Sequence, residues 1–333
     1  MTSERFLVTG ALGCIGAWTV RELVREGTPV VGFDLGTNTR RLANLLSAEE
    51  LASVPLVAGD ITDLESVRRA LDEHAITNVI HLAALQVPFC RADPPLGARV
   101  NVGGTVNVFE AVKRRGGMAP VVYMGSIGMF SAGDADPSGV LREDATAHPG
   151  NHYGVYKLAN EGTARIYWTD SGVPSVGLRP LTVYGAGRDQ GMTSGPTVAV
   201  AAAVLGVPYR IGFGGQTLFQ YAEDVAKTLL LASRAPADGP RVFNLGGSLV
   251  SVSDWVDAIE AVVPGATRLI SFEPAPLPFP SQIEARAIAA LGSVPVTPYR
   301  DAIAATAEIF RGLAADGRLV AAEHGIPEAA PAR

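Results

Sequence analysis

Tyr153 and Lys157 stand four residues apart, one helical turn, so a phenol and an ammonium share a helix face. A phenol titrates near about 10 and is a weak base at neutral pH; drawing it to about 7 takes roughly 4 kcal/mol. A neighbouring cation supplies part of that, and lysine is the compact cation that can also hydrogen-bond a ribose. Lys157 is one of three lysines, with Lys113 and Lys227, in a chain that otherwise uses arginine. Ser126 closes the apolar run Val121–Ser126, which would set its hydroxyl at the carboxyl edge of a sheet. There it would orient a substrate oxygen toward Tyr153 and polarise a carbonyl. This is the chemistry of proton and hydride exchange at an alcohol or ketone. Without a nucleotide site the same residues read as a surface pair and a strand-end cap.

The sequence supplies such a site. Gly10-Ala11-Leu12-Gly13-Cys14-Ile15-Gly16 follows the strand Phe6–Thr9 and opens a helix from Ile15 to Glu26. Gly10 permits the tight turn, Gly13 lets a pyrophosphate approach, and Gly16 lets helix and strand pack closely. Cys14 and Ile15 complete the cofactor loop, Cys14 as a small packing residue. Asp34 ends the strand Pro29–Asp34, where a carboxylate accepts bonds from both ribose hydroxyls and repels a 2′-phosphate. NAD is therefore expected over NADP, with Arg40 and Arg41 the side chains that could offset the repulsion. Asp60-Ile61, after the strand Leu56–Asp60, either cradles adenine or begins a turn capping the next helix through Thr62 and Asp63.

Short apolar runs alternate with longer amphipathic stretches, the mark of βαβ units and a parallel sheet. Further strands are expected at Asn78–Ala83, Ser175–Arg179 and Arg241–Leu245, and helices at Leu64–His74, at Leu96–Arg115 and around Tyr153. The fold class is α/β: a Rossmann-type doubly wound parallel sheet of about seven strands with a smaller C-terminal substrate lobe. Residues 1–180 would form the NAD-binding domain, with a strand returning near 241–246, and 181–320 mainly the substrate lobe. That lobe begins in a stretch, 185–220, rich in Gly, Thr, Ala and Val, and continues through a proline-dense segment at 273–280. Its helices are expected near Ser251–Val262, Ser281–Leu291 and Pro298–Leu313, and 321–333 reads as a frayed tail.

With 333 residues, 47% of them hydrophobic, the chain can bury a sizeable core. No run approaches the roughly 18–20 apolar residues of a membrane span. A net charge of −6 without a basic stripe argues against a nucleic-acid or anionic-membrane partner. Arg40-Arg41, Arg68-Arg69 and Lys113-Arg114-Arg115 are expected as solvated helix ends. A first strand starting near Arg5 leaves no room for a targeting segment. Cys14 and Cys90 make no disulfide framework, which fits a cytoplasmic home. No cluster has metal-ligand spacing, so no metal is expected. Arg91 and Arg188 could clamp a substrate carboxylate or serve as interlobe ion-pair residues. His148 and His152 are read as turn residues.

The chain resembles the extended short-chain dehydrogenase/reductase family, the group of nucleotide-sugar epimerases and dehydratases. Beside the glycine loop and Tyr153–Lys157, the likeness rests on His81-Leu82-Ala83-Ala84, Asn101 through Thr105 and Leu178-Arg179-Pro180. It continues in Val183-Tyr184-Gly185 and Glu223-Asp224-Val225-Ala226. The resemblance implies NAD-dependent hydride transfer, with Tyr153 as acid/base, Lys157 lowering its pKa and binding ribose, and Ser126 holding the substrate oxygen. Ala83 and Ala84 would line the cofactor, and Pro180 would sit near the nicotinamide. Asn101 is expected to hold helix backbone and a relay water near Lys157. A homodimer through the helix 96–115 and the Tyr153 helix is also implied. Two features depart from the pattern. Ile127-Gly128 follows Ser126 where dehydratase members carry Asp-Glu, so elimination of water is not expected. Gln216–Gln220 leads into Tyr221 without the arginine that nucleotide-sugar members place on the diphosphate. Losing such a clamp costs about 2 kcal/mol or more. The reading is thus a dehydrogenase or epimerase of a small sugar, sugar acid or lactone. Its alternatives are a nucleotide-sugar 4-epimerase with another phosphate anchor, and a catalytically silent NAD-binding regulator. Retention of Tyr153, Lys157 and Ser126 counts against the last.

Overall fold

The computed structural model describes residues 4–236 and 238–327. Seven parallel strands make the central sheet: β1 (Phe6–Thr9), β2 (Val30–Asp34), β3 (Leu56–Ala58), β4 (Asn78–His81), β5 (Val121–Met124), β6 (Ser175–Arg179) and β7 (Pro240–Asn244). Their order is β7-β6-β5-β4-β1-β2-β3, so the chain reverses direction across the sheet between β1 and β4. A crevice forms at such a switch point, outside the carboxyl ends of the strands. Every residue of β1, β4 and β5 is buried, as near-continuous hydrophobic runs require of a sheet covered on both faces. Alternation along β1 sends Phe6 and Val8 to one core with Trp18 and Leu229, and Leu7 to another with Phe109 and Tyr123. Helices α1 (Cys14–Arg25), α2 (Gly104–Arg115), α3 (His152–Ser171) and α4 (Ala222–Ser233) supply much of that cover.

The second half builds a three-stranded sheet from Thr182–Tyr184, Gln216–Tyr221 and Ser248–Ser251. Its core is continuous with the first: one cluster runs from Phe6 and Trp18 through Val198–Ala203 to Phe310 and Ile326. The helix Gly195–Leu205 lies inside it, in the stretch where no helix is expected from the sequence. It is apolar on every side and so carries no amphipathic signal.

Three other segments differ from expectation. Ser281–Leu291 is not a helix. Gln282–Ile283 pairs in parallel with Val140–Leu141, packing Ile283 against Leu141, and only Ala287–Leu291 winds into a short 3-10 turn. The helix expected at Leu96–Arg115 is broken by a π-helical turn over Arg99–Gly103, which turns Asn101 inward. Residues 321–327 are docked rather than frayed, with His324 and Ile326 buried; 328–333 lie outside the described residues.

Candidate active site

A cavity of about 620 Å³ runs along the carboxyl ends of the strands. Gly10, Gly13, Cys14, Ile15 and Gly16 form its floor, and Asp34, Asp60, Ile61, Ala83, Ala84 and Pro180 also line it. Gly16 is dictated by packing, because a Cβ there would collide with the Gly10 carbonyl. No side chain caps the start of α1, which leaves its first N–H groups free for phosphate oxygens. Asp34 Oδ2 accepts from the Leu12 N–H at 2.9 Å and Oδ1 from Gly36 at 3.0 Å, so each oxygen keeps a lone pair for a ribose hydroxyl. These residues fit a nicotinamide dinucleotide. Asp60 Oδ1 accepts from the Thr62 N–H at 2.8 Å in the turn before the helix, which Asp63 caps by accepting from the Glu65 N–H at 2.9 Å; Asp60 also lines the cavity. Arg40 and Arg41 are not solvated helix ends. Both line the cavity and pair with Asp189, because a buried carboxylate requires a cation partner.

At the inner end, Asn151 caps α3 through Oδ1, which accepts from the Gly154 N–H at 2.9 Å. This sets Tyr153 in the first turn, with Lys157 one turn on. The Tyr153 ring packs over Gly128, where a Cβ would lie 3.6 Å from the ring. Ser126 is buried, and its Oγ accepts from the Gly128 N–H at 2.9 Å. The buried Lys157 donates from Nζ to the Met124 carbonyl at 2.8 Å and lies 5.6 Å from the Tyr153 ring centre. Burial pulls the ammonium down to about 8. The phenol departs from expectation: burial raises it above the usual value, against downward pulls from the Ser126 hydroxyl and the Arg188 guanidinium. Lys157 Nζ lies over the ring, and in the protein alone desolvation is the largest influence on the phenol. Below the glycine loop, His81 bridges Thr9 at 2.7 Å and Thr105 at 3.1 Å, kept neutral by burial that draws it to about 3.

Asn101 does not reach the cavity wall. It holds the backbone of Leu85, accepting from its N–H at 2.7 Å and donating to its carbonyl at 2.9 Å, because the π turn points it at that loop. Arg91 is exposed at the end of a short helix, outside the cavity, and does not join a clamp there. Arg188 does line it. Nη2 donates to Thr193 at 3.1 Å, Nε is buried without a partner, and among the described residues no carboxylate pairs with this cation. Gln86 stands nearby with Oε1 likewise buried and unpartnered. Gln86, Thr193 and Phe279 carry no sequence signal, since each comes from a loop whose course only the fold defines. His148 is exposed and pairs with Asp134, and His152 stacks on Tyr156, so neither lines the cavity.

A dinucleotide crevice ending in a serine and a tyrosine–lysine pair is the arrangement of an extended short-chain dehydrogenase/reductase. The NAD dependent epimerase/dehydratase family model matches residues 6–246, and the chain belongs to that family. It is 34% identical over 316 residues to a UDP-glucose 4-epimerase of Mycolicibacterium smegmatis, covering 92% of this chain and 98% of that one. Among solved structures it resembles the UDP-glucose 4-epimerase of Thermus thermophilus in complex with NAD, at 26% identity and a TM-score of 0.77 over 92% of this chain and 99% of that one. MoeE5 in complex with UDP-glucose and NAD matches at 29% identity and a TM-score of 0.76, again over 92% and 99%. MoeE5 has also been solved with UDP-glucuronic acid and NAD.

Proposed function

We propose that the chain epimerises a secondary alcohol of a nucleotide-linked sugar by oxidation and re-reduction, with NAD retained. The observation that carries the reading is the convergence of Tyr153, Ser126 and Lys157 at one end of a cavity whose other end holds Asp34. When bound, NAD supplies the acceptor for the alcohol's hydride and the source of its return. The chain's own residues handle the proton and the geometry. Tyr153 Oη takes the hydroxyl proton and later gives it back. Ser126 Oγ holds the same oxygen, keeping it in line with the phenol. The Lys157 ammonium offsets the charge that develops on Tyr153. Arg188, a cation with no carboxylate partner among the described residues, meets the anionic part of the substrate, whether a sugar carboxylate or a phosphate.

The test is incubation with UDP-glucose and UDP-glucuronic acid, following both sugar configuration and NADH absorbance. New epimer without net NADH is expected. Arg188→Leu should raise KM by about tenfold or more for the substrate whose anion it meets. Net NADH without an epimer would replace the reading with a dehydrogenase. A second reading, a small unphosphorylated sugar acid, is favoured by Gln216–Tyr221. There Thr217 bonds Thr182 at 2.9 Å, Gln220 bonds Leu181 and Leu245, and the segment holds no arginine to pair with a diphosphate.

The reading extends to a cytosolic homodimer. Val155, Leu158 and Ile166 on α3 are 49%, 38% and 50% exposed, an apolar stripe at helical spacing. Sedimentation should give a dimer for the native chain and a monomer for Val155→Glu/Ile166→Glu; a native monomer counts against it.

A further inference from the structure

Arg40 and Arg41 stand in the cavity wall on the Asp34 side and share the Asp189 carboxylate, with the more exposed Glu323 a second partner 3.7 Å from Arg40 Nε. Asp189 Oδ1 accepts from Arg41 Nη2 at 2.6 Å, while Oδ2 accepts from Arg41 Nε at 3.1 Å and from Arg40 Nη2 at 2.5 Å. The Asp189 side chain is only 6% exposed. Arg41 also donates from Nη1 to the Leu12 carbonyl at 3.0 Å, and the Leu12 N–H is the one bound by Asp34. Arg41 and Asp34 thus hold the two sides of one loop residue.

Asp189 belongs to the other half of the chain, in the turn after Thr182–Tyr184. That turn is pinned independently of the arginines. Trp18 Nε1 donates to the Ala186 carbonyl at 2.9 Å, and the Asp189 carbonyl is covered by Gly325, where any side chain would collide. The carboxylate therefore stays where the fold puts it, and the guanidinium groups come to it.

A guanidinium fork binds phosphate as readily as carboxylate, and an arginine near the ribose acid is what accommodates a 2′-phosphate. Two such forks lie beside Asp34 in this chain, both already engaged. We infer that Asp189 is a specificity-determining residue: by holding Arg40 and Arg41 it denies them to a 2′-phosphate and leaves Asp34 to select NAD. The inference rests on the cavity holding a nicotinamide dinucleotide.

Calorimetric titration of the full chain with NAD and with NADP tests both levels. Binding of NAD by the native protein checks the cofactor reading, and a protein that binds neither dinucleotide overturns both. Asp189→Asn keeps the shape and removes the charge. It should raise NADP affinity relative to NAD by about tenfold or more, and adding Arg41→Gln should take most of that gain back. An unchanged ratio, or equal weakening of both dinucleotides as a mere interlobe latch would give, overturns the inference. Arg41→Gln alone leaves Asp189 charged, so it should move the ratio several-fold further toward NAD. An unchanged ratio there, or a shift toward NADP, is equally fatal, which keeps the question open to experiment should Asp189→Asn fail to fold.

Discussion

Tyr153→Phe is expected to lower kcat by about 10³-fold or more while leaving NAD affinity within about twofold. The phenylalanine keeps the ring over Gly128 and the helix cap at Asn151, so the wall of the cavity is preserved. Only the oxygen proposed to carry the proton is lost. Because burial raises the phenol in the protein alone, the native enzyme should also lose rate on acidification, as the fraction able to accept a proton falls. Stopped assays across pH, with NAD titration in parallel, check both. A variant that retains native turnover moves the acid/base role elsewhere.

Lys157→Met should cost about 10²-fold or more in kcat yet make the protein without cofactor more stable near pH 7. Burial draws the ammonium from the usual 10.5 to about 8. Between those values the unfolded chain binds the proton and the folded one does not, so native stability rises with pH across that window. Below pH 8 the folded state bears the full penalty, about 3 kcal/mol. Methionine removes it, and the Met124 carbonyl loses its partner at a cost of about 1 kcal/mol. The net gain of about 2 kcal/mol at pH 7 should fade as pH approaches 10. Urea unfolding at the two pH values measures it. A gain that ignores pH, or a loss at pH 7, shows that the charge is not what the burial penalises.

What the sequence disclosed followed its strongest local signals. The glycine loop, Asp34 and the Tyr153–Lys157 spacing each encode a local geometry, and each stands in the cavity wall. The seven strands were legible because each is an apolar run bounded by turn residues, buried throughout in β1, β4 and β5 and more open at the edges in β3 and β7. Features made by distant segments were not. Asp189 gives no hint in its own neighbourhood that two arginines from the other half will meet it. Arg91 and Arg188 look alike as isolated cations after strands, yet one faces solvent and the other the cavity. Gly195–Leu205 was hidden because a helix apolar all round has no period to read. That the backbone held by Asn101 belongs to Leu85 was not legible, because a π turn changes the direction of a side chain without altering the sequence pattern.

The interior shared from Trp18 to Phe310 limits how this molecule can breathe. Swinging the halves apart like jaws would wet dozens of packed methyl groups, at a cost far beyond what one reactant's arrival repays. The crevice is bordered instead by thinner parts, the glycine-studded turn that carries Arg188 and the proline-dense segment that carries Phe279, where a change of shape would disturb far less of that interior.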